Sequence, residues 1–409
     1  MRENNVCQLF ISYSHKDINK VERFMTHISP LEKRGEVEIW IDQDNTPGSE
    51  LQHNIKSKLY SSDIICLFIS ADYLASPSCN EEKEIALKLR KEKGVSIIPI
   101  ILSPCNWLDD FDLSSLLAIP FDGKPVSSYV DANNAWTEII QSIKTVMKEI
   151  KYLRDLEISQ EFTEFLSTTE MLASAHSRKR EITLEDIFIY PELSKYENLD
   201  LIEITNLESV IESFTKNSKI VIAGDNQSGK TALCKKCFIE LRKKNFLPVF
   251  LTDPSGNFHG ILQNRIIEAL QSEYINFDIS QINNSNIVPI IDDFQFAKNK
   301  LKLIKELSDY PSAIIIVDDI YSLNIAEEDI LSTFTKYRIN EFSPFLRNQL
   351  IRKWTQLNDR TDNQTENGIY QKIDEKTELV DSALGKVFGS GVMPAYPFFI
   401  ISIISTYDI

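Results

Sequence analysis

Residues 224–231 constrain the fold of this chain more than any other feature. They read Gly-Asp-Asn-Gln-Ser-Gly-Lys-Thr and stand between the apolar run Lys219–Ala223 and a helical pattern at Ala232–Lys243. Two glycines at this spacing, then Lys and Thr at the start of a helix, are the pattern of a P-loop between a strand and a helix. The sequence therefore predicts a nucleotide-binding α/β domain.

Each conserved feature of a P-loop has a physical role that this chain can supply. Gly224 and Gly229 allow backbone N–H groups to surround phosphates at a helix N-terminus. Lys230 is predicted to meet the β- and γ-phosphates, and Thr231 to hold Mg2+. ATP or ADP with Mg2+ is the expected cofactor.

A second acidic site is expected after the apolar run at 288–291, which ends at Asp292 and Asp293. Asp292 is predicted to bind the hydration shell of the Mg2+, together with Thr231. Glutamate is the commoner water-activating residue at the second position, so the shorter Asp293 favours slow hydrolysis and a switch over a motor. The alternative is a buried strand followed by a helix cap.

Composition narrows the class of protein. The chain has 409 residues, a formal charge of −16 and 43% apolar residues, which suits two or three globular domains. Its acidic surface disfavours sequence-independent binding to nucleic acid or anionic lipid, although a local basic groove stays open. Scattered cysteines and the lack of an apolar run of about 18 residues predict a cytoplasmic protein with reduced thiols and no membrane partner.

Cys234 and Cys237 form one pair, which favours helix packing over zinc.

The first 150 residues predict a parallel α/β sheet of the flavodoxin-like type, with ligands beyond the carboxyl ends of the strands. Five strands are expected, at Cys7–Ser12, Val37–Ile41, Ile64–Ser70, Ser96–Leu102 and a weaker Leu116–Phe121. The predicted domains are 1–150, a helical linker and extended segment at 151–200, a P-loop NTPase domain at 201–342, and a helical subdomain at 343–409 that looks incomplete.

Three patches in the first domain carry a family resemblance. They are LFISYSHKD at 9–17, IWIDQDNTPGSEL at 39–51 and SADYLASPSCNEEKEIAL at 70–87. Their order and spacing resemble TIR domains over about 145 residues. TIR enzymes cleave NAD+, so the resemblance implies NAD+ as substrate.

The resemblance assigns the active carboxylate to Glu82. In TIR enzymes this glutamate lies three residues after the position of Cys79 and is followed by a small-apolar pair, here Ala86 and Leu87. Cleavage of the nicotinamide–ribose bond builds a cation on the ribose, which a fixed carboxylate stabilises.

The alternative for Glu82 is stabilisation of a helix start. Ser76 or Ser78 would cap the helix, and Glu81, Glu82 and Glu84 would lie in its first turn, where acids suit the helix dipole.

The resemblance also places other residues at the substrate pocket. The expected set is Ser12, Ser14, His15, Trp40, Asp42 and Gly48. Many relatives carry Arg where this chain has Ser14 and His15, which leaves the phosphate contacts open. Trp40 has a second interpretation as a core residue.

The second domain resembles a STAND NTPase, the class that includes NACHT and NOD-like receptors. Residues 337–344 resemble the passage from the last strand into a helical subdomain, and Pro397 stands where the family places a proline against adenine. Asp318 and Asp319 replace the usual Thr-Thr-Arg sensor. Because a winged helix and a sensor would normally follow Ile409, we expect either a fragment of a longer receptor or a partner that supplies the rest.

These resemblances predict an NAD+ hydrolase that ATP-dependent oligomerisation activates in bacterial antiphage immunity. Self-association through both domains is expected, and the activator would be a phage protein or a nucleic acid bound by a sensor region. The alternatives are a non-catalytic TIR scaffold, a cyclase that makes a cyclic ADP-ribose signal, and a protein that is mainly an ATPase.

Overall fold

The computed structural model divides the chain into two compact units. The first comprises residues 1–155 with the short piece 280–283, and the second comprises 156–279 and 284–409. The structure describes residues 6–41, 51–169, 179, 181–197, 200–215, 217–252, 261–318, 333–357, 366–386 and 393–407. The predicted domain limits stay predictions.

The first unit is a parallel sheet with helices on both faces. Its strands are β1 (Cys7–Tyr13), β2 (Val37–Ile41), β3 (Ile64–Ile69) and β4 (Ser96–Ile101). Its helices are α1 (Ile18–Lys33), α2 (Leu51–Ser61), α3 (Ala71–Ala75), α4 (Pro77–Lys93), α5 (Phe111–Ser114) and α6 (Ala132–Asp155). The strand order is β2-β1-β3-β4, and all pairs are parallel.

The apolar runs of β1, β3 and β4 are continuous because both faces of the sheet are buried there. Leu9 and Ile11 of β1 belong to one core cluster, whereas Phe10 between them belongs to the cluster on the opposite face. Because β1 and β3 are parallel, their carboxyl ends lie at one edge of the sheet, where the polar residues Ser12 and Ser70 are found.

The fold class is as predicted, but the first sheet has one strand fewer among the described residues. The expected strand Leu116–Phe121 contributes a single parallel bridge between Ile100 and Ile119. The next residue, Pro120, has no N–H group and cannot continue the hydrogen-bond ladder.

The second unit is a larger mixed sheet. Its strands are β5 (Glu192–Glu197), β6 (Asp200–Asn206), β7 (Lys219–Ala223), β8 (Leu247–Leu251), β9 (Ile287–Ile291), β10 (Ala313–Val317) and β11 (Thr335–Ile339). Its helices are α7 (Gln160–Ser167), α8 (Leu184–Ile187), α9 (Leu207–Glu212), α10 (Lys230–Lys243), α11 (Leu262–Glu273), α12 (Lys300–Leu307), α13 (Pro344–Gln356), α14 (Glu366–Lys386) and α15 (Pro397–Tyr407). The order is β6-β5-β11-β7-β10-β9-β8, so β7, which leads into the P-loop, lies in the middle.

The strands β7 to β11 are parallel, and β5 and β6 extend the sheet as an antiparallel pair. Strand β5 falls in the segment predicted as linker, and β6 begins at its last residue. Most side chains of β6 are exposed, so it lacks the apolar alternation by which a strand is recognised from sequence.

The segment after α6 also differs from the helical linker predicted at the start of 151–200. Helix α6 ends at Asp155, and α7 begins at Gln160. Phe162 of α7 contacts the ring of Phe238 of α10, with ring centroids 5.1 Å apart. Residues 156–169 therefore pack as part of the second unit.

The last three helices form a cluster of their own. Leu350 and Trp354 of α13 pack with Ile373 of α14 and with Ile400 of α15, and all four are fully buried. Cys234 and Cys237 are buried on α10, which confirms helix packing for this pair. None of the described helices is long and apolar enough to cross a membrane.

Candidate functional sites

At the carboxyl edge of the first sheet, Tyr73 joins β1 to the helices that follow β3. The hydroxyl groups of Tyr73 and Ser12 are 3.0 Å apart, and Tyr73 also donates to the carbonyl oxygen of Cys79 at 3.3 Å. The thiol of Cys79 lies 3.4 Å from the carbonyl oxygen of Tyr13. Because Ser12, Tyr73 and Cys79 are buried, these bonds fix the start of α4 against the end of β1.

The start of α4 corrects one prediction. The N-cap is Ser76, whose hydroxyl accepts a hydrogen bond from the N–H of Cys79, and the helix begins at Pro77. Glu82 therefore lies in the second turn, and the first turn contains no acidic residue. Since the helix dipole acts mainly on the first turn, the expectation that Glu82 stabilises the helix start is weakened.

The three glutamates of α4 differ in their surroundings. Glu81 is exposed and pairs with Lys56 at 2.8 Å, and Glu84 is exposed. Glu82 is half-buried. Burial raises the pKa of the Tyr73 phenol well above its usual value, and the charge of Glu82 adds to that rise. It also adds to the raised pKa of the Cys79 thiol, which is again mainly due to burial. Glu82 is thus in electrostatic contact with the buried cluster at the end of β1.

The polar residues at the end of β1 and after it contact both their own loop and the residues that follow β3. Ser14 is buried, and His15 is exposed with its ring edge-on to Tyr13 at 5.6 Å between centroids. Asp17 is buried and accepts a hydrogen bond from Ser70 at 2.5 Å. The hydroxyl of Ser12 forms a hydrogen bond with that of Tyr73, so Ser12 stabilises this edge of the sheet in the structure.

Trp40 is 36% exposed, so its interpretation as a core residue is wrong. The ammonium group of Lys58 lies 3.8 Å from the centroid of its ring. Asp42 and Gly48 lie outside the described residues. Tyr73 was missed by sequence reasoning, and its position in the Ser70–Leu87 patch was the only signal for it.

In the second unit, the P-loop has the geometry that its glycines predict. Gly229 has φ +91°, a region that disfavours residues with a Cβ atom. A Cβ on Gly224 would lie 2.5 Å from the hydroxyl of Ser228 and 2.9 Å from a methyl group of Ile339. The hydroxyl of Ser228 is buried and has no hydrogen-bond partner within the described structure. This unsatisfied polar atom inside the loop fits a site that binds a polar ligand.

Lys230 is held at the loop by three oxygen atoms. Its ammonium group donates to the carbonyl oxygens of Gly224 and Asp225, at 2.8 and 3.0 Å. It also pairs with the carboxylate of Asp318, at 2.8 Å. Asp318 follows β10, so the acid at the position where a sensor was expected contacts the P-loop lysine directly.

Thr231 and Asp292 meet across the sheet. The Thr231 hydroxyl donates to Asp292 at 2.8 Å, although β10 lies between β7 and β9. Burial raises the pKa of Asp292; the Thr231 bond opposes the rise, and Asp293 adds to it. Asp293 accepts a hydrogen bond from the side chain of Gln295 at 3.0 Å.

These residues suit Mg2+ bound together with a nucleotide. The described residues contain no group of three or more His, Cys, Asp and Glu side chains that could hold a metal alone. Mg2+ usually takes one or two protein ligands and completes its shell with water and phosphate oxygens. Thr231 and Asp292 would be the protein ligands, and the metal would neutralise phosphate charge.

Three residues at the P-loop were not predicted. Asp225 accepts hydrogen bonds from Arg338 of β11 and from the hydroxyl of Tyr396, which precedes α15. The signal in the sequence was an acidic residue, Asp225, inside a phosphate-binding loop, because a negative charge there needs a cation nearby. Tyr396 adjoins Pro397, so the segment expected near the nucleotide does reach the P-loop.

Fold and sites together define a protein with a doubly wound parallel α/β unit followed by a P-loop nucleotide-binding unit. Residues 9–136 match the family model described as "TIR domain". The N-terminal unit is therefore a TIR domain, fused to an α/β unit of the P-loop ATPase type.

One curated relative is the "Uncharacterized protein y4lF" of Sinorhizobium fredii, which is 31% identical over 137 residues. That alignment covers 33% of this chain and 42% of the relative, so the chain spans less than half of its length.

Two solved structures resemble different parts of the chain. The TIR domain of the Toll-related receptor TRR-2 from Hydra magnipapillata is 21% identical, and the match covers 33% of this chain and 97% of that one, with a TM-score of 0.25. AMPPCP-bound DnaA from Aquifex aeolicus is 16% identical, with coverages of 43% and 59% and a TM-score of 0.26. TM-scores this low do not establish a shared fold, so the P-loop assignment rests on the residues described above.

Proposed function

We propose that this protein cleaves NAD+ with Glu82 as the active carboxylate, and that the P-loop unit controls this activity through ATP-dependent self-association. The observation that carries the proposal is the position of Glu82. It is half-buried in the second turn of α4, beside the buried Ser12, Tyr73 and Cys79 at the ligand-binding edge of a TIR domain.

The proposed reaction needs one negative charge at the sugar. The bond between ribose C1′ and the nicotinamide nitrogen breaks, and its electron pair leaves with nicotinamide, which becomes neutral. The ribose becomes cationic, and the carboxylate of Glu82 stabilises that charge. Water then adds to C1′ and releases one proton to solvent, giving ADP-ribose. Tyr73 and Cys79 act as positioning residues, because their bonds to β1 fix the helix that bears Glu82.

The P-loop unit would supply control. Tethering several TIR domains in one assembly makes a weak contact between them effectively intramolecular. Binding of nucleotide at Lys230, Thr231 and Asp292 would set whether the assembly forms. A function in bacterial antiphage immunity, in which NAD+ loss stops infected cells, belongs to the same proposal. So does activation by a phage protein or a nucleic acid.

The test compares two glutamates of the same helix. The full chain is incubated with NAD+, Mg2+ and ATP, and nicotinamide release is measured by chromatography. We expect Glu82→Gln to lower the rate on the order of 100-fold. The matched control is Glu84→Gln, which removes the same charge from an exposed position on α4. Equal rates in wild type and Glu82→Gln would refute the assignment.

Two further outcomes separate the alternatives. Filaments without nicotinamide release under any condition would favour a scaffold, and a cyclic product would favour a cyclase. Lys230→Ala tests the control step, since it should lower both ATP binding and NAD+ cleavage. Full cleavage without ATP would show that the P-loop unit does not control the reaction.

A further inference from the structure

The P-loop of this chain contains an acidic side chain that two distant residues bind. The Nη2 atom of Arg338 lies 3.2 and 3.4 Å from the two carboxylate oxygens of Asp225. The hydroxyl of Tyr396 donates to the same carboxylate at 2.7 Å. Asp225 is the second residue of the loop, and its carbonyl oxygen accepts a hydrogen bond from Lys230.

Both partners are fixed by their backbone. Arg338 lies on β11 opposite Ala223, the last residue before the loop. Tyr396 is 2% exposed, and the residue before it, Ala395, donates its N–H to Glu341 at 3.0 Å. The carbonyl oxygen of Ala395 accepts a hydrogen bond from the N–H of Phe342 at 2.9 Å. These bonds attach the segment before α15 to the chain that leaves β11.

An uncompensated carboxylate in this loop would weaken nucleotide binding. Backbone N–H groups and Lys230 attract phosphate, and a negative charge within the loop repels it. A guanidinium within hydrogen-bond distance compensates that charge, and a tyrosine hydroxyl stabilises and orients the carboxylate by a charge-assisted hydrogen bond. Arg338 is therefore placed to offset the repulsion between Asp225 and a bound phosphate.

We propose that Arg338 and Tyr396 are positioning residues that compensate the charge of Asp225, so that the affinity of the P-loop for nucleoside triphosphate depends on the chain segment before α15. This inference rests on the ATP binding proposed above. It assigns a role to Asp225 that the loop pattern does not, because position 225 is a variable position of the motif. Since Tyr396 is 171 residues away in sequence, the bond connects the loop to the helical end of the unit.

The test measures the affinity of the full chain for Mg-ATP and Mg-ADP by calorimetry. We expect Arg338→Gln to weaken Mg-ATP binding about fivefold, with a smaller loss for Mg-ADP, which carries less charge. Tyr396→Phe removes only the hydroxyl and should weaken binding about twofold. The matched control is Arg347→Gln, which removes the same charge from a guanidinium that pairs with Asp381 of α14.

A double-mutant cycle distinguishes charge compensation from a general structural effect. In the Asp225→Asn background, Arg338→Gln should change Mg-ATP affinity by less than about twofold, because the charge to be compensated is gone. The Arg338→Gln loss should also shrink with added salt. An equal loss in both backgrounds would overturn the inference, as would a loss that salt does not change. A wild-type chain that binds no Mg-ATP would overturn the proposed function itself, before any variant is compared.

Discussion

Glu273 gives the sharpest test of the packing of the second unit, because its carboxyl group is buried at the edge of the sheet. It is the last residue of α11, and both of its carboxyl oxygens accept from the N–H of Phe250, at 2.9 and 3.2 Å. The next residue, Tyr274, donates its hydroxyl to the carbonyl oxygen of Pro248 at 2.8 Å. Both bonds satisfy outward groups of the edge strand β8 and so protect it from pairing with another chain.

Burial raises the pKa of Glu273 from 4.5 to about 9, although the bond from Phe250 opposes the rise. Between those two values the folded protein binds a proton that the unfolded chain does not. The free energy of unfolding therefore falls as pH rises, by about 1.4 kcal/mol per pH unit. The contribution is complete below the unfolded pKa and is lost towards pH 9. Between pH 5.5 and 7.5 this amounts to about 3 kcal/mol.

The variant Glu273→Gln keeps an acceptor for Phe250 and removes the titration. We expect it to lose this pH slope and to be more stable than wild type by about 4 kcal/mol at pH 7.5, which is three pH units above 4.5. The assay is urea unfolding of the full chain between pH 5.5 and 7.5, with hydrogen exchange of residues 247–251 as the local reporter. Glu268→Gln, at an exposed position of the same helix, is the control. Parallel stability curves for wild type and Glu273→Gln would refute the reasoning.

Two further predictions concern the P-loop and the helix that follows it. Gly229→Ala forces a Cβ atom onto a backbone with φ +91° and should destabilise the loop by about 1–2 kcal/mol, although a Cβ there has no other atom within 4 Å; unchanged stability and unchanged nucleotide affinity would contradict this. Glu240→Gln removes one of the two carboxylates that pair with the buried Lys236, the other being Glu185, and should cost about 2 kcal/mol in urea unfolding. A loss at pH 7 below about 0.5 kcal/mol, the range of ordinary surface changes, would contradict that expectation.

The sequence predicted the elements whose conformation depends on residues close together in the chain. The strands Val37–Ile41 and Lys219–Ala223 have the predicted bounds. For Lys219–Ala223 the reason is that an apolar run buried on both faces has little freedom in where it begins and ends. The P-loop conformation was predictable from local requirements, since Gly229 has a positive φ and a Cβ on Gly224 would meet the hydroxyl of Ser228.

Features that depend on distant contacts could not be predicted. Strand β6 was missed because its exposed residues show no pattern, and the place of β5 is set by pairing with the distant β11. The Asp225 cluster needs Tyr396, which only the path of the chain brings to the loop. Ser76 and Ser78 were equal candidates for the cap of α4 until the structure showed that Ser76 accepts the N–H of Cys79.

The helix that begins at the P-loop also binds the chain that follows the TIR domain. On α10, the buried Lys235 donates to the carbonyl oxygen of Thr168 at 3.2 Å and lies 4.0 Å from the ring centroid of Phe165. Its neighbour Lys236 is also buried, and its ion pairs with two carboxylates raise its pKa, although burial works to lower it. A buried ammonium group without partners costs several kcal/mol, so Thr168 and Glu185, which bind Lys235 and Lys236, are held to α10. These parts of the chain therefore belong to the nucleotide-binding unit rather than to a free linker.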